Sequence, residues 1–274
     1  QIMIFFKFIA RFLGRRIPYF KGKNLLIRFL YNPKRFKNIH SGEKFITDYF
    51  GLKYEGITSN YIDWGVYFYG GHEKALVNYL IKQVNTDIFD YYFDIGANTG
   101  TLSLPIAKIK KTKIISFEPL SYNFNRLVNN YKINNLFNDH IFHNLALSDT
   151  QDQKNIHYSE ATENIGTSSL LKSKEIKDDQ IEKINTETLD SLYDFKDKKI
   201  LIKIDVEGYE NFVIDGAYNL LKNNKILMYI ETDNINLLNK LEAIGYKKYF
   251  FNLGENTFKV SNIISGKDVI LQNF

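Results

Sequence analysis

From residue 90 onward, short apolar runs alternate with longer segments whose apolar positions recur every three or four residues. The runs Tyr91–Ile95, Lys113–Phe117, His140–Leu145, Ile200–Ile204 and Ile226–Ile230 have the length and side chains of buried strands. The stretches 99–110, 121–134, 209–222 and 234–244 read as helices. This alternation predicts an α/β fold with a mostly parallel, doubly wound, Rossmann-like sheet. Tyr246–Phe251, Thr257–Val260 and Asp268–Leu271 are β-rich and would complete that sheet in antiparallel fashion. The polar stretch 150–185 interrupts the alternation and reads as an inserted hairpin with loops.

Upstream, residues 54–69 (YEGITSNYIDWGVYFY) are aromatic and β-branched and predict a hairpin, ended by Gly70-Gly71. Glu73 to Val84 then predicts a helix with Leu76, Val77, Leu80, Ile81 and Val84 on its apolar side. The chain therefore divides into a basic helical extension, residues 1–53, and a main domain, residues 54–274. Within the latter, 54–89 is a lead-in of hairpin and helix, and 150–185 is the insert.

Charge sharpens this division. The chain is net +5, yet residues 1–42 carry ten Lys or Arg and no acid, so the remainder is net negative. A negative body is not expected to bind nucleic acid. The opening QIMIFFKFIARFLGRR is interrupted by Lys7 and Arg11 too early for a membrane span. No small-residue cleavage site follows, so a signal peptide is not expected. On a helix Ile2, Phe5, Phe6, Ile9 and Leu13 share one face, while Lys7, Arg11 and Arg15 line another. Two arrangements are open. Residues 1–40 can make a peripheral contact with an anionic membrane surface, or the apolar face can pack on the protein's own body. The absence of Cys excludes disulfides, thiolate metal sites and thiol nucleophiles. It fits a cytoplasmic setting, at the inner membrane face if the first arrangement holds.

The sharpest local signal is YYFDIGANTGTLSL, residues 91–104. A strand runs into Asp94-x-Gly96-x-x-x-Gly100 and a helix follows, making Asp94, Gly96, Asn98 and Gly100 candidates for cofactor binding. Gly96 permits a tight turn, and Gly100 a close approach. The spacing differs from the dinucleotide pattern Gly-x-Gly-x-x-Gly. Asp94 at the strand end would repel a pyrophosphate and attract the ammonium of a methionine moiety, which favours S-adenosylmethionine over NAD. Glu118, at the end of the second strand, can accept both ribose hydroxyls of a nucleoside. After the third strand, Asn144 to Ala146 would lie near the adenine, with Ser148 or Asp149 reaching its exocyclic amine.

The fourth strand, ILIKIDVEGYE (200–210), points Ile202 and Ile204 one way and Lys203 and Asp205 the other. A central-strand Lys is costly to bury unless paired, so Lys203 is either part of the reaction site or one half of a structural ion pair. Asp205, Glu207 and Gly208 fall beyond the strand's carboxyl end, where ligands of open α/β sheets bind. After the fifth strand, Asp233 and Asn234 with Asp205 would offer oxygen ligands to Mg²⁺, although the same pair suits a helix N-cap.

The ordered blocks YIDWGVYFYGGHE, FDIGANTG, FEP, NLALSD, ILIKIDVEGYE and MYIET resemble the FkbM-type methyltransferases over about residues 54–232. His72 departs from the resemblance, which has an aromatic residue before Glu73. The resemblance implies a class I methyltransferase fold, S-adenosylmethionine as donor and a hydroxyl acceptor on a sugar, glycan or glycolipid precursor. Such a hydroxyl needs a general base or a metal. Asp205, Glu207 and Lys203 are the catalytic candidates, with His72 a further base and residues 162–171 (TENIGTSSLL) a flap over the acceptor. An NAD(P)-dependent oxidoreductase and a catalytically inactive membrane-peripheral module are the alternatives.

Overall fold

The strand-and-helix alternation is realised with small shifts. The computed structural model describes residues 2–32, 36, 38, 40–109, 111–159, 170, 179–251, 260–261 and 267–274. Residues 1–74 make most of one unit, and residues 75–157 and 181–274 most of a second.

The first unit comprises α1 (Ile2–Arg16), α2 (Lys23–Leu30), β1 (Lys44–Tyr49), β2 (Leu52–Ile57) and α3 (Tyr61–Tyr69). The hairpin expected over 54–69 is therefore misplaced. It runs from 44 to 57, the expected boundary at residue 53 falls inside β2, and 61–69 is helical. End signals outweighed aromatic content. Asn60 caps α3 by accepting the Asp63 N–H at 3.1 Å, and Gly70 stops it at φ 76°. Asp63, fully buried, accepts the Tyr54 hydroxyl at 2.7 Å and the Ile57 N–H at 2.8 Å, which ties the helix to the hairpin. Ala10, Ile27, Tyr31, Trp64 and Phe68 form the core.

Of the two expected arrangements of α1, the packing of its apolar face on the protein's own body does not hold. Its cationic side packs inward, and Phe5, Phe8 and Phe12 are exposed. The reason is polar. Arg15 donates to the C-terminal carbonyls of α3, Val66 O at 2.8 Å and Tyr67 O at 2.9 Å. Arg11 donates to Thr47 Oγ1 at 2.7 Å, and Lys7 pairs with Glu43. A Cβ on Gly14 would stand 2.1 Å from Phe68 O, so this close approach requires glycine.

The second unit continues with α4 (Lys74–Thr86), β3 (Tyr91–Ile95), α5 (Ser103–Ala107), β4 (Lys113–Phe117), α6 (Ser121–Lys132), β5 (Ile141–His143), β6 (Ala146–Leu147), β7 (Asp152–Ser159) and β8 (Asp179–Glu187). It closes with α7 (Leu189–Leu192), β9 (Lys199–Ile204), α8 (Glu210–Asp215), α9 (Tyr218–Asn223), β10 (Lys225–Glu231), α10 (Ile235–Ala243), β11 (Lys247–Phe251), β12 (Val260–Ser261) and β13 (Asp268–Gln272). The main sheet has the order β12-β11-β13-β10-β9-β3-β4-β5, parallel from β10 to β5 and antiparallel from β10 to β12. A separate three-stranded sheet has the order β6-β8-β7. The expected third strand is thus shortened to β5, with β6 beginning just beyond its expected end in the other sheet, and the expected helix 209–222 is two helices. They break at Gly216, where a Cβ would lie 1.8 Å from Ser148 O. The flap expected at 162–171 lies outside the described residues except for Leu170, as does most of the strand expected at 257–260.

Strand alternation gives the sheet two unlike faces. Phe93, Ile95, Ile115, Phe117, Ile200, Ile202, Ile204 and Met228 join Val213, Leu220, Leu237 and Leu241 in one buried core. The opposite face brings Asp94 level with Lys203 on one side and Ser116 on the other.

Candidate active site

The carboxyl ends of β3, β4 and β9 converge, and six of the predicted residues meet there: Asp94, Gly96, Asn98, Glu118, Lys203 and Asp205. Lys203 is 2% exposed on β9. Its ammonium donates to Gly96 O at 2.7 Å and Ile95 O at 3.3 Å, 3.6 Å from Asp94 Oδ1 and 3.5 Å from Asp205 Oδ2. It therefore sits among four oxygens from two strand tips, in the ion pair that the sequence left open. Asp94 is fully buried, and burial raises its pKa against the pull of Lys203. The acid expected to attract a ligand ammonium is fully buried and faces the ammonium of Lys203.

The turn after β3 is dictated by its neighbours. Gly96 has φ 75°, and a Cβ there would meet Asp205 O at 2.0 Å. Asn98 follows in the left-handed region at φ 51°. At Gly100 the expected close approach is made by the chain itself: a Cβ would meet Leu127 Cδ1 of α6 at 2.6 Å. Asn130 Nδ2 donates to Thr99 O at 3.1 Å and holds the turn from the same helix.

Glu118 completes the turn from β4. Its Oε2 accepts the Asn98 N–H at 2.8 Å and its Oε1 the Leu120 N–H at 3.0 Å. Burial pushes its pKa up to about 7, against these two N–H groups and the charge of Lys203. A carboxylate has roughly four acceptor positions; these two N–H groups and the Asn123 side chain take three, which leaves one for a ribose hydroxyl. Asn98 Oδ1 is buried with no hydrogen-bond donor among the described residues, an acceptor that a ligand would satisfy. These residues fit the nucleoside part of S-adenosylmethionine, and Asp205, one-third exposed at the β9 tip, fits its ammonium.

The third-strand candidates bond within the chain. Asn144 Nδ2 donates to Glu118 O and Pro119 O, both at 2.9 Å, clamping the backbone behind Glu118. Ala146 is buried in β6 opposite Thr186. Ser148 Oγ lies 3.1 Å from the Tyr209 hydroxyl and 3.0 Å from Asp149. Lys154 Nζ donates to that hydroxyl at 2.6 Å and to Ser148 Oγ at 3.2 Å. Lys154 and Tyr209 were missed by the sequence reading. Tyr209, directly after Glu207-Gly208, was the available signal, whereas nothing marks Lys154 within its polar insert.

Beyond β9 the chain passes through Asp205, Val206, Glu207 (φ 51°) and Gly208 (φ 90°) before α8. A non-glycine residue held in the left-handed region is strained, and such strain clusters at functional positions. Glu207 is exposed and stands among acids. Desolvation first, then the like charges of Asp205, Glu231 and Glu210, push its pKa up to about 7. Glu210 is buried and accepts the Gly208 N–H at 2.9 Å, holding the turn. Asn234 caps α10 through the Leu237 N–H at 3.2 Å, and Asp233 faces Lys267 at 4.0 Å. No group of three acidic or histidine side chains among the described residues is placed to hold a metal ion. His72 belongs to the N-terminal unit, edge-on to Tyr61.

Comparison with solved structures gives distant likenesses. A transferase of Pyrococcus horikoshii is 16% identical, with 85% of this chain and 71% of that one covered and a TM-score of 0.45. A SAM-dependent O-methyltransferase of Thermotoga maritima is 10% identical, with 84% and 77% covered and a TM-score of 0.40. The magnesium protoporphyrin IX methyltransferase of Synechocystis PCC 6803, solved with bound SAM, is 9% identical, with 73% and 76% covered and a TM-score of 0.39. These scores are too low to carry the fold, which rests on the chain's own strand order and on its family. No curated protein matches the sequence. The model of the methyltransferase FkbM domain matches residues 94–248. That match spans more than half of the chain, which belongs to the FkbM family of S-adenosylmethionine-dependent methyltransferases.

Proposed function

We propose that this enzyme methylates a hydroxyl oxygen of a sugar, glycan or glycolipid precursor, with Glu207 as the base that takes the hydroxyl proton. S-adenosylmethionine, when bound, supplies a methyl group on a cationic sulfur that leaves as a neutral thioether. Glu118 and Asn98 would hold its nucleoside part. Asp205 would receive the ammonium or orient the acceptor, and Asp94 and Lys203 are positioning residues that fix the two strand tips.

The observation that carries the reading is Glu207: a strained acid beyond β9 whose pKa of about 7 suits proton abstraction near neutral pH. An alcohol attacking a methyl carbon must lose its proton to a nearby acceptor as the new C–O bond forms. Amine acceptors, deprotonated before attack, make no such demand.

The test is a labelled-methyl assay with nucleotide sugars, glycans and glycolipids. Label is expected in a product that survives mild alkali, as a methyl ether does. Label found only on nitrogen, or only in an alkali-labile ester, would rule the reading out.

The donor site has its own test. Glu118→Ala removes a charged acceptor, worth about 1.5–3 kcal/mol. Calorimetry should therefore show S-adenosylhomocysteine binding about ten- to hundredfold weaker. Unchanged affinity would remove Glu118 from the site.

A further inference from the structure

The N-terminal unit presents a preformed apolar surface that neither the donor site nor the chemistry uses. Phe5, Phe8 and Phe12 recur along one face of α1, and Leu25 and Phe29 along one face of α2. Phe8 is 69% exposed and Phe29 86%, so these rings do not merely skim the surface. The two helices are locked together. Lys23 of α2, buried, donates to Gly14 O at 3.0 Å and Ile17 O at 2.6 Å, the carbonyls at the end of α1. No helix among the described residues is long and apolar enough to cross a membrane.

Charge identifies what covers this face. Residues 1–42 contain no acid, and Arg16, Lys21 and Arg28 are exposed on the same two helices and their connection. A second copy of the chain would set cations against cations, a like-charge juxtaposition that disfavours pairing. The occupant must supply an apolar interior beneath a negatively charged layer. An anionic bilayer surface has both.

We infer that α1 and α2 form a membrane-docking plate that lies in the plane of an anionic lipid surface, its aromatic side chains inserted below the headgroups. Arg16, Lys21 and Arg28 meet the phosphates. Lys7, Arg11 and Arg15 take no part, because they are spent on Glu43, Thr47 and the end of α3. The plate resembles an interfacial helix with its usual contents, except that it is braced from behind by buried cations.

The full chain should co-sediment with phosphatidylcholine vesicles containing phosphatidylglycerol, and bind vesicles of phosphatidylcholine alone at least about tenfold more weakly. The triple variant Phe8→Ser, Phe12→Ser, Phe29→Ser should lose anionic-vesicle binding by about a hundredfold or more. Arg16→Gln and Lys21→Gln should each weaken it about fivefold. All variants should keep the parent's calorimetric affinity for S-adenosylhomocysteine, which reports an intact fold. A parent that ignores anionic vesicles, or a folded triple variant that binds them as the parent does, overturns the inference. So does a parent that dimerises without binding vesicles and becomes monomeric in the triple variant, which would assign the face to a second copy.

Discussion

Lys203→Ala is expected to lower the unfolding free energy by about 3–5 kcal/mol, the usual consequence of breaking a buried ion pair from one side. The variant leaves Asp94 fully buried with its cation gone and removes the ammonium from the Gly96 carbonyl, while Ile95 O keeps the Asp205 N–H. Denaturant unfolding measures the loss. Its pH dependence follows from the sign of the Asp94 shift, which burial raises and Lys203 opposes. Without the lysine, the folded-state pKa of Asp94 climbs further above its unfolded value. Such a group favours folding below the unfolded pKa and loses that contribution as pH rises through the folded pKa. The defect should therefore be smaller in mild acid than at neutral pH. The double variant Asp94→Asn, Lys203→Met leaves no fully buried lone charge, only the one-third-exposed Asp205, and should lose less than the two single changes combined. Additive losses, or a stable Lys203→Ala protein, would show that the pair is not what holds the strand tips.

The second large effect is catalytic. Glu207→Gln should lower kcat by about 10²–10⁴-fold, the range for a general base. Because the base must be ionised, kcat at saturating donor should fall as pH drops through about 7 in the parent and lose that inflection in the variant. Asp205 raises the pKa of Glu207 by its like charge, so Asp205→Asn should move the inflection to lower pH. Glu118, also near 7, is proposed to hold the donor, and its protonation should then appear in KM for S-adenosylmethionine instead. Wild-type kcat in Glu207→Gln would transfer the proton to another acceptor.

The sequence made the sheet legible because the parallel strands β3, β4, β9 and β10 are short runs buried on both faces. The turn after β3 was equally plain, since Gly96 leaves little alternative where Asp205 O comes so near. What could not be read was strand order. Asp94 and Lys203 lie far apart in the chain, and only the placement of β9 beside β3 makes them register partners. The same ignorance hid a near neighbour of Gly100, Leu127 on α6. At the N-terminus, periodicity found a two-faced helix but not which face turns inward. The carbonyls at the end of α3 settled that in favour of the arginine, and no local pattern records a helix end waiting for a donor.

The position of β13 reaches beyond the finished molecule. It is later in the chain than β11, yet it lies between β10 and β11 and supplies the register for both. During translation, β10 and β11 leave the ribosome as two exposed edges that cannot yet pair through their eventual neighbour. A chaperone or a pause at that stage has unpaired strands to act upon, and a nascent chain stalled before Asp268 would carry them as sites for aggregation.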